Sequence, residues 1–184
     1  SFDAKAGANE LVARHIGHNE LDAIQVCHAF IDMQREYAEI DRDGDGLLEY
    51  SDRLVSTPGK HDGLYWPTQA GETPSPAGPR LANASPQKLA ARTGATPFHG
   101  YYFRVLTAQG PHAPGGAREY RVAGQLIGGV ALIAWPANYR SSGVKTFLCG
   151  LSGIVFERDF GEHTAAAVAK IRAYDPGPGW ARTD

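Results

Sequence analysis

The sequence lacks features that mark several common classes of protein. Its longest apolar run, Val130 to Trp135, is far shorter than the roughly 20 residues that a membrane-spanning helix needs. It has no lysine- or arginine-rich block and its formal net charge is −2, which argues against nucleic acid as a partner. No secretory signal is visible. The chain opens on Ser1 rather than methionine, which predicts processing or a fragment.

Cysteine is also scarce, with only Cys27 and Cys149 in 184 residues. Cys27 falls on the apolar side of a predicted helix and Cys149 in an apolar strand, which favours plain buried thiols. One long-range disulfide is the alternative. The sequence has no Gly-x-Ser-x-Gly nucleophile elbow, and no histidine or cysteine cluster has the spacing of a zinc site.

The first part of the chain is helical. Apolar residues recur every three or four positions over about 19–39, which predicts a long amphipathic helix. These residues are Leu21, Ile24, Cys27, Phe30, Ile31 and Ala38. Gly17 is predicted to end a shorter helix before it, and Asn19 to cap its start. After an acidic loop, 50–55 is predicted to form one or two further helical turns.

The second part of the chain is rich in β-branched and aromatic residues. The predicted strands cover 99–108, 119–122, 130–135, 144–149 and 154–158, with 130–135 central and residues 150–153 as a hairpin connection. An alanine-rich closing helix is predicted over 164–174. Helices first and an antiparallel meander later, without βαβ alternation, indicate an α+β fold.

We therefore predict a single α+β domain over 1–184 with three parts. Residues 1–56 form a helical lead-in with the acidic loop, and 57–98 form an irregular region rich in proline and glycine. Residues 99–184 form the antiparallel sheet and the closing helix. A helical turn is predicted at 87–92 inside the irregular region.

The acidic loop, Asp41 to Asp52, has the ligand spacing of a calcium loop, with Gly46 at the sixth position. The predicted ligands are Asp41, Asp43, Asp45, the Leu47 carbonyl, Glu49 and Asp52. Asp52 replaces the usual bidentate glutamate, and its shorter side chain weakens calcium or favours magnesium. Leu48 is predicted to point back to the core. The alternative interpretation is a solvated Asp-Gly turn whose side chains cap their own backbone.

Only one such loop is present, so a bound Ca²⁺ (or Mg²⁺) is expected to act as a structural clip rather than as a sensor. Two other kinds of site remain open. A hydrolase would use His99, Asp62 or His163, or a pair of Cys149 with a histidine. A small-ligand binder would use a cleft lined by Tyr65, Trp66 and Tyr101.

Several short sequence segments, taken in their order along the chain, resemble those of one known family. They include Arg14 to Leu21, Gln34 to Ala38, Asp41 to Tyr50, Pro58 to Trp66, His99 to Phe103, Leu106 to Gly110, Gly115 to Ala117, Ser142 to Val144 and Asp159 to Gly161. Together they are similar to the bacterial family called domain of unknown function 2950. The resemblance covers nearly the whole chain and implies an exported cell-envelope protein with an additional N-terminal region, which this chain is expected to lack. It implies no catalytic residue.

Three functions compete on this basis. The first is a non-enzymatic interaction or assembly module of the bacterial envelope, periplasmic or extracytoplasmic, whose partners are other envelope proteins or subunits. Its order of long helix, loop and meander is similar to the layout of pilins, which does not establish function. The second is an envelope hydrolase, and the third a small-ligand binder.

Overall fold

A computed structural model of the protein describes residues 4–78 and 96–183. One long helix, α1 (Ala4–Tyr37), opens the described chain, and antiparallel strands follow it. This order confirms the predicted α+β class. The helical turn predicted at 87–92 lies outside the described residues.

α1 is one continuous helix, so the predicted break at Gly17 is wrong. Gly17 is not among the glycines with positive φ, the conformation in which glycine commonly ends a helix. Asn19 does not cap a helix either. Its buried side-chain amide donates to the carbonyl of Ser142 at 2.8 Å and so ties α1 to the loop before a central strand.

The buried face of α1 contains Ala23, Cys27, Phe30 and Ile31. Leu21 is 60% exposed, so its predicted place on the apolar side is wrong. It lies two residues before Ala23, and two residues turn a helix by about 200°, which carries the side chain to the solvent side. Among the described residues, no helix combines the length and apolar character needed to cross a membrane.

Within the described residues, nine short strands follow the helix. They are β1 (Tyr101–Leu106), β2 (Ala108–Gln109), β3 (Arg118–Glu119), β4 (Arg121–Val122), β5 (Gln125–Leu126), β6 (Ala131–Pro136), β7 (Lys145–Gly150), β8 (Val155–Asp159) and β9 (Ala181–Arg182). The main sheet has the order β1-β6-β7-β8-β9, while β2-β3 and β4-β5 form two small hairpins. The apolar stretch predicted to be central is β6, which lies between β1 and β7 with residues 131–134 buried.

Different parts of the chain pack on the two faces of the sheet. α1 lies on the face that carries Cys149, whose Sγ is 3.9 Å from the carbonyl oxygen of Cys27. Side chains alternate along a strand, so Leu148 points to the opposite face. The C-terminal segment covers that face, where the Tyr174 ring meets the Phe156 ring with 6.4 Å between centroids.

The closing helix is shorter than predicted. α2 covers only Thr164–Val168, preceded by a 3-10 turn at Gly161–His163. The Arg104 guanidinium, from β1, donates to the carbonyls of Val168 and Ile171 at 2.8 and 2.7 Å. The N–H of Ile171 bonds back only three residues, to the Val168 carbonyl at 3.1 Å, and the N–H of Tyr174 donates to the carbonyl of Ala108 at 2.8 Å. The chain after Val168 is therefore bonded to the sheet half and does not continue the helix.

Both cysteines are free and fully buried, which matches the buried-thiol interpretation. Burial raises the pKa of the Cys149 thiol well above its usual range. A thiol held neutral in this way is a poor nucleophile. The structure therefore does not support the hypothesis of a Cys149–histidine catalytic pair.

Candidate metal-binding site

The acidic loop begins where α1 ends and is shaped by its own side chains. Asp41 accepts hydrogen bonds from the backbone N–H groups of Gly44 and Gly46, both at 2.8 Å. The two glycines adopt positive φ values of 79° and 88°, which few other residues tolerate. Asp45 accepts a further bond from the N–H of Leu47 at 2.8 Å. The Asp-Gly pattern thus folds the chain into a tight turn.

Three carboxylates converge on this turn. One oxygen each from Asp41, Asp43 and Asp45 lies within 4.8 Å of the other two. The hydrogen bonds from Gly46 and Gly44 lower the pKa of Asp41, so that carboxylate stays ionised at neutral pH. Like charges at this separation repel one another, and a divalent cation would relieve the repulsion.

Glu49, at the ninth position of the loop, has an unusual environment. Its Oε1 atom is shielded from solvent and has no hydrogen-bond partner among the described residues. Burial raises the pKa of Glu49, and the negative charges of Asp43 and Asp45 raise it further. A buried carboxylate oxygen without a donor is costly unless a cation or a proton compensates it.

The end of the loop contacts a distant hairpin. Asp52, at the twelfth position, forms an ion pair with Arg121 on the β4-β5 hairpin. The Asp45 carboxylate likewise accepts a hydrogen bond from Gln125 on the same hairpin. These contacts join the loop to the small hairpin, and they pair the Asp52 carboxylate with a guanidinium.

No helix follows the loop within residues 50–55, so the predicted helical turns are wrong. The buried Gln34 amide donates to the carbonyl of Ser51 at 2.6 Å and accepts from its N–H at 2.9 Å. The N–H of Tyr50 donates to the carbonyl of Leu126 at 2.9 Å. Because distant partners take these backbone groups, the segment stays extended. Leu48 is 56% exposed, which contradicts its predicted role in the core.

The loop forms one wall of a cleft of about 730 Å³. The other walls come from the end of α1, the turn at 59–62 and the β4-β5 hairpin. Charged side chains of both signs line it, and they are Arg42, Asp43, Glu49, Asp52, Arg53, Lys60, Asp62 and Arg121. Sequence reasoning missed the cationic members, since no spacing relates them to the loop.

His99 and Asp62 do not converge, so the predicted catalytic arrangement is wrong. The Nδ1 atom of His99 lies 2.5 Å from Oδ2 of Asp22. Asp62 accepts bonds from the N–H and hydroxyl of Thr57, and its neighbour His61 accepts from the Tyr37 hydroxyl. Asp22 and Tyr37 are about 22 Å apart along α1 at 1.5 Å per residue. His163 is exposed, beside α2.

The three aromatic residues predicted to line a ligand cleft do not do so. Tyr101 is fully buried, and its hydroxyl donates to the carbonyl of Lys145 at 2.8 Å. Trp66 is also buried, with its ring stacked on His61 at 4.3 Å between centroids. Only Tyr65 is partly exposed. Buried rings cannot contact a ligand, so the predicted aromatic cleft at these positions is wrong.

The observed fold and site define a class: an α+β protein with a long helix on an antiparallel sheet and a cluster of aspartates beside a polar cleft. The chain belongs to the DUF2950 family, described as protein of unknown function, whose family model matches residues 1–183. The family predicted from the short sequence segments is therefore confirmed. The chain matches no curated protein and no solved structure.

Proposed function

We propose that the acidic loop binds a divalent cation, with Ca²⁺ as the preferred ion, and that the ion acts as a structural clip. The observation that carries the proposal is the convergence of the Asp41, Asp43 and Asp45 oxygens within 4.8 Å. Calcium takes six to eight oxygen ligands, from carboxylates, backbone carbonyls and water. The ion would neutralise three carboxylates that the fold holds together.

Further ligands would come from the same loop. The Glu49 Oε1 atom is shielded and without a partner among the described residues, so a nearby cation would compensate its charge. The Leu47 carbonyl and water would complete the shell. Asp52 would contribute only if it left Arg121, which makes it the weakest of the predicted ligands. Mg²⁺, which keeps several waters, is the alternative ion.

Thermal unfolding with Ca²⁺, with Mg²⁺ and with a chelator tests the clip. An ion that binds only the folded state at 100 times its dissociation constant adds about 2.7 kcal/mol, which raises Tm by roughly 5 to 10 °C in a chain of this size. Asp43→Asn is expected to weaken binding by roughly tenfold or more, because a charged ligand is lost.

Asp32→Asn is the matched control, since it removes an exposed carboxylate from α1 and leaves the loop intact. It is expected to keep the full calcium shift. The clip proposal is wrong if neither ion raises Tm at concentrations up to about 100 mM, which is about 100 times the weakest dissociation constant expected for such a site. It is equally wrong if Asp43→Asn and wild type respond alike.

We further propose that the protein is a non-enzymatic interaction module of the bacterial envelope, in an extracytoplasmic compartment. A calcium loop without a bidentate glutamate at its last position belongs among the weaker sites, and extracellular modules bind at roughly 10⁻⁴ to 10⁻³ M. The N-terminal half of α1 also exposes Leu11, Val12 and Leu21. Exposed apolar side chains of this size suit a contact with another envelope protein or subunit.

A photo-crosslinking residue at Leu11, in cells that are then fractionated, tests this role. The expected result is one discrete crosslinked species in the envelope fraction. The same residue at the exposed Glu39, near the end of α1, is the control and should give none. Protein confined to the cytoplasmic fraction, or equal crosslinking from both positions, would contradict the proposal.

A further inference from the structure

A second pocket lies on the face of the sheet opposite α1. It has a volume of about 430 Å³, within the range of roughly 300 to 1,000 Å³ that small-molecule sites occupy. The turn after β2, the strands β7 and β8 and the segment after α2 all contribute to it. It shares no lining residue with the cleft beside the acidic loop.

The pocket has apolar walls. Leu148 contributes from the sheet and Ile171 from the segment after α2. The rings of Phe160 and Trp180 meet edge to face, with 5.8 Å between centroids and 80° between planes. Both rings are only partly buried, so they offer a contact surface for the apolar body of a ligand.

Two arginines, Arg158 and Arg172, line the same pocket. Within the described part of the chain, neither Arg158 nor Arg172 has a carboxylate within 4.0 Å. Arg158 lies over the Phe160 ring at 4.7 Å and donates one bond, of 3.3 Å, to the carbonyl of Pro178. Most of its donors, and those of Arg172, are therefore available to an anion.

The one carboxylate that lines the pocket is already engaged. Asp175 accepts from the backbone N–H of His112 at 2.8 Å, and its two oxygens lie 3.1 and 3.0 Å from the Nδ1 atom of the same residue. This arrangement fixes the imidazole and directs the Asp175 charge at His112. Among the described residues, Asp175 therefore contacts His112 and lies beyond ion-pair distance of Arg158 and Arg172.

Glycines allow these side chains to lie where they do. A Cβ on Gly110 would be 2.4 Å from Cγ of Asp175, and one on Gly177 would be 2.6 Å from the His112 ring. A Cβ on Gly179 would be 2.9 Å from Cζ of Arg158. Contacts this short are not seen in real structures, and the short Asp175 and His112 side chains have little room to move away. The positions of Asp175 and His112 therefore depend on close approach by the backbone, whereas the flexible end of Arg158 can shift.

We propose that this pocket binds a small organic anion, a carboxylate or a phosphate ester with an apolar ring as its body. The guanidinium groups of Arg158 and Arg172 bind the anionic group, since their planar donors match carboxylate and phosphate oxygens. Phe160 and Trp180 contact the ring. His112, held by Asp175, lines the same site and limits the poses available to the anionic group.

Nuclear magnetic resonance of the full chain tests the site with phenylacetate and phenyl phosphate as probes and benzyl alcohol as the neutral control. The readout is the indole N–H signal of Trp180, assigned by its loss in Trp180→Phe. We expect a saturable shift with either anion and none with the alcohol. A response to only one of the two anions distinguishes a carboxylate site from a phosphate site and supports the proposal in either case.

Arg172→Gln is expected to weaken anion binding by roughly tenfold or more, because hydrogen bonds to charged groups are the strong ones. Arg172 is exposed, so the variant should fold. Arg158→Gln provides an independent second test, and the exposed Arg14→Gln on α1 is the matched control. No saturable shift with either anion, an equal shift with benzyl alcohol, or equal affinity in all three variants would overturn the proposal.

Discussion

The acidic loop and the pocket on the opposite face of the sheet differ in how they are assembled. The loop takes its three clustered carboxylates from five consecutive residues, 41–45, and fixes them with its own backbone N–H groups. The pocket takes its polar groups from positions 112, 158, 172 and 175, in three separate parts of the chain. The loop site therefore depends mainly on local chain geometry, and the pocket depends on the whole fold.

The two regions also differ in charge. The loop brings together three carboxylates, and its ion pair with Arg121 involves Asp52 rather than these three. The pocket brings together two arginines, and among the described residues neither has a carboxylate within 4.0 Å. A net charge of −2 over the chain hides both features. Clusters of opposite sign favour ligands of opposite charge, so the two regions are expected to respond to different ligands.

The largest expected effect on stability is that of Gly110→Ala, which tests whether the pocket depends on the fold while the loop does not. Gly110 is buried, and in Gly110→Ala the new Cβ would lie 2.4 Å from Cγ of the Asp175 side chain. Such overpacking costs about 1 to 3 kcal/mol, or roughly 2 to 12 °C in Tm. Anion binding should weaken, because the Asp175–His112 pair must move. The calcium affinity of the loop should not change.

Gly17→Ala is the control for that measurement, since a Cβ there has no neighbour within 4 Å. It adds the same methyl group inside α1 and is expected to raise stability by about 0.5 to 1 kcal/mol. Chemical denaturation of both variants, with calcium titrations, makes the test. Equal calcium weakening in Gly110→Ala and in a loop variant would contradict the independence of the two regions.

A smaller effect on stability is expected for Glu49→Gln, which should stabilise the metal-free protein where Gly110→Ala destabilises it. Because its folded pKa is raised, the folded state binds this proton more tightly than the unfolded state. Without metal, stability should therefore fall as pH rises from the ordinary glutamate pKa through the raised one. Glu49→Gln removes this fall, so the metal-free variant should be slightly more stable than wild type at neutral pH.

Calcium should reverse that ranking, because the variant has lost an anionic ligand. Thermal unfolding across pH, with and without Ca²⁺, measures both effects, and Glu39→Gln on the exposed surface is the control. A Glu49→Gln variant that is less stable than wild type without metal would show that the carboxylate has a stabilising partner. Such a result would remove Glu49 from the proposed ligand set.

Several features of the fold were predictable because they depend on short-range patterns. Periodic apolar positions placed the long helix, and the apolar run at 130–135 placed the central strand. The predicted break at Gly17 failed because glycine permits a helix end without requiring one, and Asn19 bonds to Ser142 instead of capping. The predicted helical turns at 50–55 failed because Gln34 and Leu126 take the backbone groups of that segment.

The candidate site likewise has parts that short-range patterns predict and parts that they do not. Asp41, Asp43 and Asp45 were predictable, since two-residue spacing and intervening glycines bring their carboxylates together in any tight turn. The pairing of Asp52 with Arg121 was not, because 69 residues separate them in the sequence. His99 and Asp62 were grouped by chemistry alone, and the structure places them near opposite ends of the buried part of α1.

The sequence by itself determined the α+β class, the long helix, the central strand and the cluster of aspartates. Each of these follows from interactions within a few residues, which periodicity and turn chemistry report directly. Only the tertiary structure decided that Asp52 pairs with Arg121, that α2 ends at Val168, and that Arg158 and Arg172 share a pocket with His112. Those contacts join residues far apart in the chain, and their geometry exists only once the sheet has formed.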